Sequence, residues 1–206
     1  VATPTRIYRI AGSPTAGSNL PKLPKYGFKD TFTRADASVL GNTEDGKAWQ
    51  IIAASAGATW GIASGDAYCV AVNNPGTTAM AVADGLTANG TLTYVVGSAA
   101  GDSSGLAFRA QDISNYFWLA NLSNRITLWK RVAGTATQLA QGPVSTPFVV
   151  GDTLTVVLNG TSITVSRNGT QIISITESAL STVTKHGFFA SSASLTLRWT
   201  SITHTP

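Results

Sequence analysis

The chain has 206 residues, 43% of them hydrophobic and 12% charged; that charged share is about half the roughly 25% usual in soluble domains. Such a length can close one full core as a single large β domain, and Thr, Ser, Ala and Gly in place of charges suit strands with one packed face and one wetted, uncharged face. The net charge of +4 comes from scattered Lys and Arg without a run of five, so nucleic acid is not an expected partner, and no apolar stretch approaches the roughly 18 residues that membrane insertion needs.

Residues 1–29 differ from the rest. Pro4, Pro14, Pro21 and Pro24 punctuate them, Arg6, Arg9, Lys22, Lys25 and Lys29 fall among them, and no acid precedes Asp30. Proline holds itself and the residue before it in extended conformations, so these residues read as an extended arm or linker. The arm either docks on a neighbouring subunit, where Ile7-Tyr8-Arg9-Ile10 can add a strand, or hangs as a free terminus. Val1-Ala2-Thr3-Pro4 has neither the basic region nor the apolar core of an export signal.

Residues 30–206 read as one sandwich domain. Strands are expected at 48–54, 58–63, 67–73, 77–83, 91–97 and 105–110, divided by Gly, Asn, Asp and Ser. The single cysteine, Cys69, lies in an apolar run and is expected to be a buried small hydrophobe. A hairpin follows over 115–132. A turn at Ser123-Asn124 sets Leu119 opposite Leu128, Trp118 opposite Trp129 and Tyr116 opposite Arg131, so aliphatic and aromatic pairs take opposite faces. After a strand at 135–140 comes a three-strand meander, 153–158, 162–167 and 171–176, whose turns are Asn159-Gly160 and Asn168-Gly169. A two-residue turn at the first opposes Val156 to Ile163 and Leu154 to Val165. At the second, a tight turn opposes Ile172 to Val165, and a looser one opposes Ile173. Residues 177–181 read as a helical turn, and strands at 186–190 and 194–203 close the chain. A dozen strands with almost no helix make an all-β, two-sheet antiparallel sandwich.

The titratable residues do not assemble into a recognisable active site. Glycosidases need two carboxylates about 5 to 10 Å apart. Here the only glutamates are Glu44 and Glu177, and most aspartates sit beside turn glycines. His186 and His204 lack a neighbouring Ser, Cys or acid in the pattern of a triad. No catalytic residue is expected, so the chain reads as a binding protein. Trp49, Trp60 and Trp199 lie among aliphatic residues and are expected in the core. Trp118 and Trp129 face the other way, with Tyr116 and Arg131 beside them and Arg109 one strand off. Flat aromatic faces stack on sugar rings, and Arg fixes hydroxyl groups. These five residues form the candidate ligand site, or else the face is buried under a partner or a crossover.

Three segments carry a resemblance. Asp30-Thr31-Phe32-Thr33-Arg34-Ala35-Asp36 leads to Leu40-Gly41 and Trp49. Gly105-Leu106-Ala107-Phe108-Arg109 leads to Asp112 and Asn115-Tyr116. Gly151-Asp152-Thr153 opens the meander that ends in His186-Gly187-Phe188. In this order they resemble the laminin-G-like, concanavalin A-like jelly rolls found in minor tail and other virion proteins of actinobacteriophages. The resemblance implies a non-enzymatic particle component on the virion surface, adhering to host-surface polysaccharide. Other virion proteins would be held through the arm, in a homo-oligomer. It leaves open a purely structural decoration or cementing role and a jelly-roll glycoside hydrolase. No cofactor is required. Calcium is the one ion the resemblance allows, with Asp30 as candidate ligand, although the last strand reads Leu197-Arg198-Trp199-Thr200, with an arginine where relatives often carry an acid.

Overall fold

The alternation of apolar and polar residues between Gly- and Asn-bearing turns yields fifteen strands and, among the described residues, no helix. The computed structural model describes residues 26–72, 78–98, 104–122, 124–143, 148–191 and 197–206. Nearly all of the expected arm lies outside them. The strands are β1 (Phe28–Asp30), β2 (Gln50–Ala53), β3 (Thr59–Ala63), β4 (Asp66–Ala71), β5 (Thr78–Asp84), β6 (Gly90–Ser98), β7 (Gly105–Asp112), β8 (Asn115–Leu122), β9 (Arg125–Val132), β10 (Thr135–Gln141), β11 (Thr153–Asn159), β12 (Ser162–Arg167), β13 (Thr170–Thr176), β14 (Lys185–Ser191) and β15 (Arg198–Thr205).

They form two antiparallel sheets packed as a sandwich. One runs β13-β12-β11-β6-β15-β4-β3, with β1 also pairing β15, and the other runs β10-β9-β8-β7-β14-β5-β2. Period-two alternation sends Leu92, Tyr94, Leu154, Val156, Ile163 and Val165 of the first sheet into the space between the sheets. Leu106, Phe108, Phe117, Leu119, Ile126, Leu128 and Phe188 of the second meet them there. Trp49, Trp60 and Trp199 are buried with this set, as expected, and Phe188 stacks on all three at 5.4–5.8 Å between ring centroids. Cys69 is buried too, and desolvation raises its thiol to about 11, so it stays protonated at neutral pH.

Several local expectations are corrected. Strand β1 takes in Phe28 and Lys29, which the proline-based reading gave to the arm; Phe28 is fully buried opposite His204. In the first meander turn Asn159 pairs with Ser162, so the loop is Gly160-Thr161 and Val156 meets Val165, not Ile163. Gly160 supplies the left-handed backbone, with φ 56°. Because the register moves by two residues, the apolar faces are unchanged. The second turn is tight, with Asn168 and Gly169 both at positive φ, 50° and 80°. A bulge at Ile172, between the Ser166–Gln171 and Val165–Ile173 pairs, then carries Ile173, not Ile172, opposite Val165. The expected helical turn at 177–181 is instead a non-helical turn at 179–182 with Leu180 at φ 53°.

Two glycines let the second sheet close up, Gly105 of β7 against β8 and Gly187 of β14 against β5. A Cβ at Gly105 would overlap the carbonyl oxygen of Leu119, and one at Gly187 would overlap that of Ala81. Both obstacles are ladder backbone, which has no rotamer to change. Gly187→Ala should therefore lower stability by about 1–3 kcal/mol, the usual range for overpacking. Urea denaturation measures it, and a variant as stable as the wild type would mean that the ladder yields there.

Candidate functional site

The hairpin β8–β9 has the register its sequence demands: Leu119 faces Leu128, Trp118 faces Trp129 and Tyr116 faces Arg131. The leucines enter the core, so both tryptophans, Tyr116 and Arg131 lie on the face of the seven-stranded sheet turned away from the sandwich. There Trp118 is stacked on both sides. Trp129, on β9, lies 5.6 Å away at 13°, and Phe189, on β14 beyond the intervening β7, lies 5.6 Å away at 18°. Phe189 reaches across because β7 carries only Gly105 and Ala107 between them. The Arg131 guanidinium sits 5.8 Å above the Tyr116 ring, within cation–π range.

This packing corrects the picture of rings lying open for a sugar. Trp118 is 8% exposed and Tyr116 1%, and the two flat sides of Trp118 are taken by its neighbours. What remains open is a shallow hollow of about 260 Å³ lined by Trp118, Ala120, Leu122, Trp129, Phe189 and Ser191. The small side chain of Ala120 belongs to its lining, and Ser191 is the one lining residue with a hydroxyl. Phe189 was not singled out by sequence reasoning. The alternation of the 186–190 strand carries the signal, since Phe188 points in and Phe189 must then point out.

Arg109 does not belong to this face. A bulge between Phe108 and Asp112 breaks the alternation, and Arg109 adopts φ 45°. Its side chain is fully buried at one end of the sandwich, where it bridges the two sheets. Nε donates to Ala88 O at 3.3 Å, and Nη2 donates to Gly160 O at 2.7 Å and Asn89 Oδ1 at 3.3 Å. No carboxylate is among these partners, and desolvation lowers the guanidinium pKa.

Asp30 does not fit the calcium role either. Its buried carboxylate accepts from Phe32 N–H at 3.0 Å and Trp49 Nε1 at 2.8 Å, and it receives both Arg34 Nη atoms, at 2.6 and 3.0 Å. Both oxygens are committed to donors, and a guanidinium stands where a cation would have to sit. Among the described residues, no group of three His, Cys, Asp or Glu is arranged to hold a metal. The glutamates are separately engaged. Glu44 accepts from the Thr31 hydroxyl and pairs with Lys29 at 3.2 Å, and Glu177 pairs with Lys130 at 2.7 Å. Those bonds lower both pKa values, and neither residue lines the hollow.

The histidines form a cluster that the sequence does not announce. His186 and His204 are fully buried and stacked at 4.9 Å between centroids. His186 Nδ1 accepts the Arg109 amide N–H at 3.2 Å, which assigns its proton to Nε2, facing Thr87 O at 3.4 Å. Burial first, then the neighbouring His204, lowers His186 to about 3, and burial also lowers His204. The native state thus holds neutral imidazoles, whereas the unfolded chain takes up protons below about 6.5. Stability therefore falls as the pH drops from about 6.5 towards 3, because the unfolded state binds more protons across that window. Between pH 6.5 and 5 the carboxylates contribute little, so the thermal midpoint should fall there for the wild type and more shallowly for His186→Gln. Parallel curves would show that His186 does not couple to folding.

No family model matches the sequence, and no curated protein matches it significantly. Among solved structures the chain is similar to the carbohydrate binding module CBM66 from Bacillus subtilis, at 14% identity and TM-score 0.52, covering 76% of this chain and 91% of that one. It is similar to the Bacillus licheniformis beta-glucanase, at 10% identity and TM-score 0.56, covering 87% and 97%. It is also similar to the exoplasmic/lumenal domain of VIP36 in its Ca2+/mannose-bound form, at 12% identity and TM-score 0.54, covering 76% and 82%. These likenesses establish a concanavalin A-like jelly-roll fold, and a fold shared at such identities does not carry a function with it.

Proposed function

We propose that the chain is a non-catalytic glycan-binding domain of a bacteriophage particle, exposed on the virion surface and adhering to polysaccharide of the host cell. The observation that carries the binding role is the hollow walled by Trp118, Trp129 and Phe189 on the outer face of the seven-stranded sheet. Apolar ring surface with a few directed polar groups is what a sugar's alternating C–H and O–H surface requires. The carbohydrate-binding module and the mannose-bound domain that share the fold support it. The phage setting rests on the sequence resemblance, as does attachment to other virion proteins or to further copies through the proline-rich arm.

The absence of catalysis is supported by the engagement of Glu44 with Lys29 and Thr31 and of Glu177 with Lys130, outside the hollow. A second reading, a structural decoration or cementing protein, is favoured by one observation: the near-complete burial of Tyr116 and Trp118 on a face that points away from the core.

Retention on purified bacterial cell-wall polysaccharide separates these readings. Trp118→Ala should cost about 3–5 kcal/mol of stability, as a buried tryptophan does, so the half-buried Trp129 is the residue to vary. Wild type should be retained, folded Trp129→Ala should lose most of its retention, and no reducing ends should appear above a boiled control. A wild type that ignores every wall polysaccharide would favour the structural role. Steady release of reducing ends, abolished by Glu44→Gln or Glu177→Gln, would make the chain a hydrolase.

A further inference from the structure

Strand β9 presents Arg125, Thr127, Trp129 and Arg131 in succession on the outer face of the seven-stranded sheet. Three of the four leave a polar atom buried without a hydrogen-bond partner: Thr127 Oγ1, Trp129 Nε1 and Arg131 Nε. Folded proteins satisfy the great majority of such atoms, and each exception calls for a missing partner. Indole and guanidinium N–H groups only donate, so Trp129 and Arg131 each carry a donor that the described residues leave unmet.

Among the described residues, the charges on this face are one-sided. Among the described residues Arg125 reaches the neutral Gln141 side chain, at 3.3 Å, and Arg131 rests on Tyr116. Neither is among the ion pairs of the described residues. No acid lines the hollow. Asp84, on β5 opposite Lys185 of β14, lies four strand spacings from β9, about 19 Å away. Six strand residues put the two arginine positions about 20 Å apart with Trp129 between them, which is a span for a polymer and not for a single ring.

We propose that the glycan taken by this face is an acidic polysaccharide, whose carboxylate or phosphate groups are received by Arg125 and Arg131 while its sugar rings lie over Trp129 and the hollow. This rests on the glycan-binding reading and adds the substrate class. The planar guanidinium fork matches the oxygens of carboxylate and phosphate alike.

The test measures binding of the full chain to polygalacturonate, to its fully methyl-esterified form, to a poly(glycerol phosphate) teichoic acid and to the neutral fraction of wall polysaccharide. At least one acidic polymer should bind about tenfold or more tightly than the ester, with affinity that falls as salt is added. Arg125→Gln and Arg131→Gln should each lose about tenfold on that polymer, the equivalent of one charge-assisted hydrogen bond, and change little on neutral polymers. A preference between the two acidic polymers assigns carboxylate or phosphate. Equal binding to the ester, or binding to the neutral fraction alone, overturns the acidic class and leaves the glycan reading standing. Failure on all four polymers overturns both.

Discussion

The pairing of Trp118 with Trp129 decides which residues of the seven-stranded sheet face the core and which face out. Side chains alternate strictly along a strand, so this register sends Phe117, Leu119, Ile126 and Leu128 into the sandwich and the indoles to the other side. A slip of one residue on either strand would bury an indole against the opposing sheet and expose leucine. Gly105 and Gly187 are the second half of that constraint. A side chain at Gly105 would push β7 from β8, and one at Gly187 would push β14 from β5. The outer aromatic cluster and the inner core are thus two consequences of one ladder.

The two polar features lie apart and work by opposite means. At one end of the sandwich, Arg109, His186 and His204 join both sheets with buried donors matched mostly to backbone carbonyls, and the imidazoles stay neutral because a protonated His186 would point a second N–H at the Arg109 amide. That cluster is finished structure apart from Arg109 Nη1 and His204 Nδ1, which remain unpartnered. On the outer face, by contrast, the unpartnered atoms fall on successive outward residues of one strand, beside a hollow and two arginines without acid partners among the described residues.

Most of the architecture was legible in the sequence, because periodicity and turn chemistry are local. The hairpin from Asn115 to Val132 was readable to the residue, since two independent pairs, leucine with leucine and tryptophan with tryptophan, demanded one register. The meander faces were readable too, although Asn159 joined its strand and moved the turn by one residue. The remainder was hidden by long-range contacts. Arg109 looked like part of the aromatic face because nothing in the sequence marks the bulge that turns it inward. Asp30 entered as a metal ligand through the family resemblance alone, and the Trp49 N–H that helps commit its carboxylate comes near only in the fold. The His186–His204 stack joins strands of different sheets, and the row of unpartnered atoms on β9 has no sequence signature.

The outer-face site is tested most directly by the indole N–H resonances of the chain's five tryptophans, followed by two-dimensional NMR as wall polysaccharide is added. Trp49, Trp60 and Trp199 belong to the inner core, and Trp118 and Trp129 to the outer face. The account predicts that the Trp129 signal moves most, that Trp118 follows, and that the three core signals hold still. Saturating ligand that leaves Trp129 unmoved, or that shifts Trp49 and Trp60 instead, would contradict it.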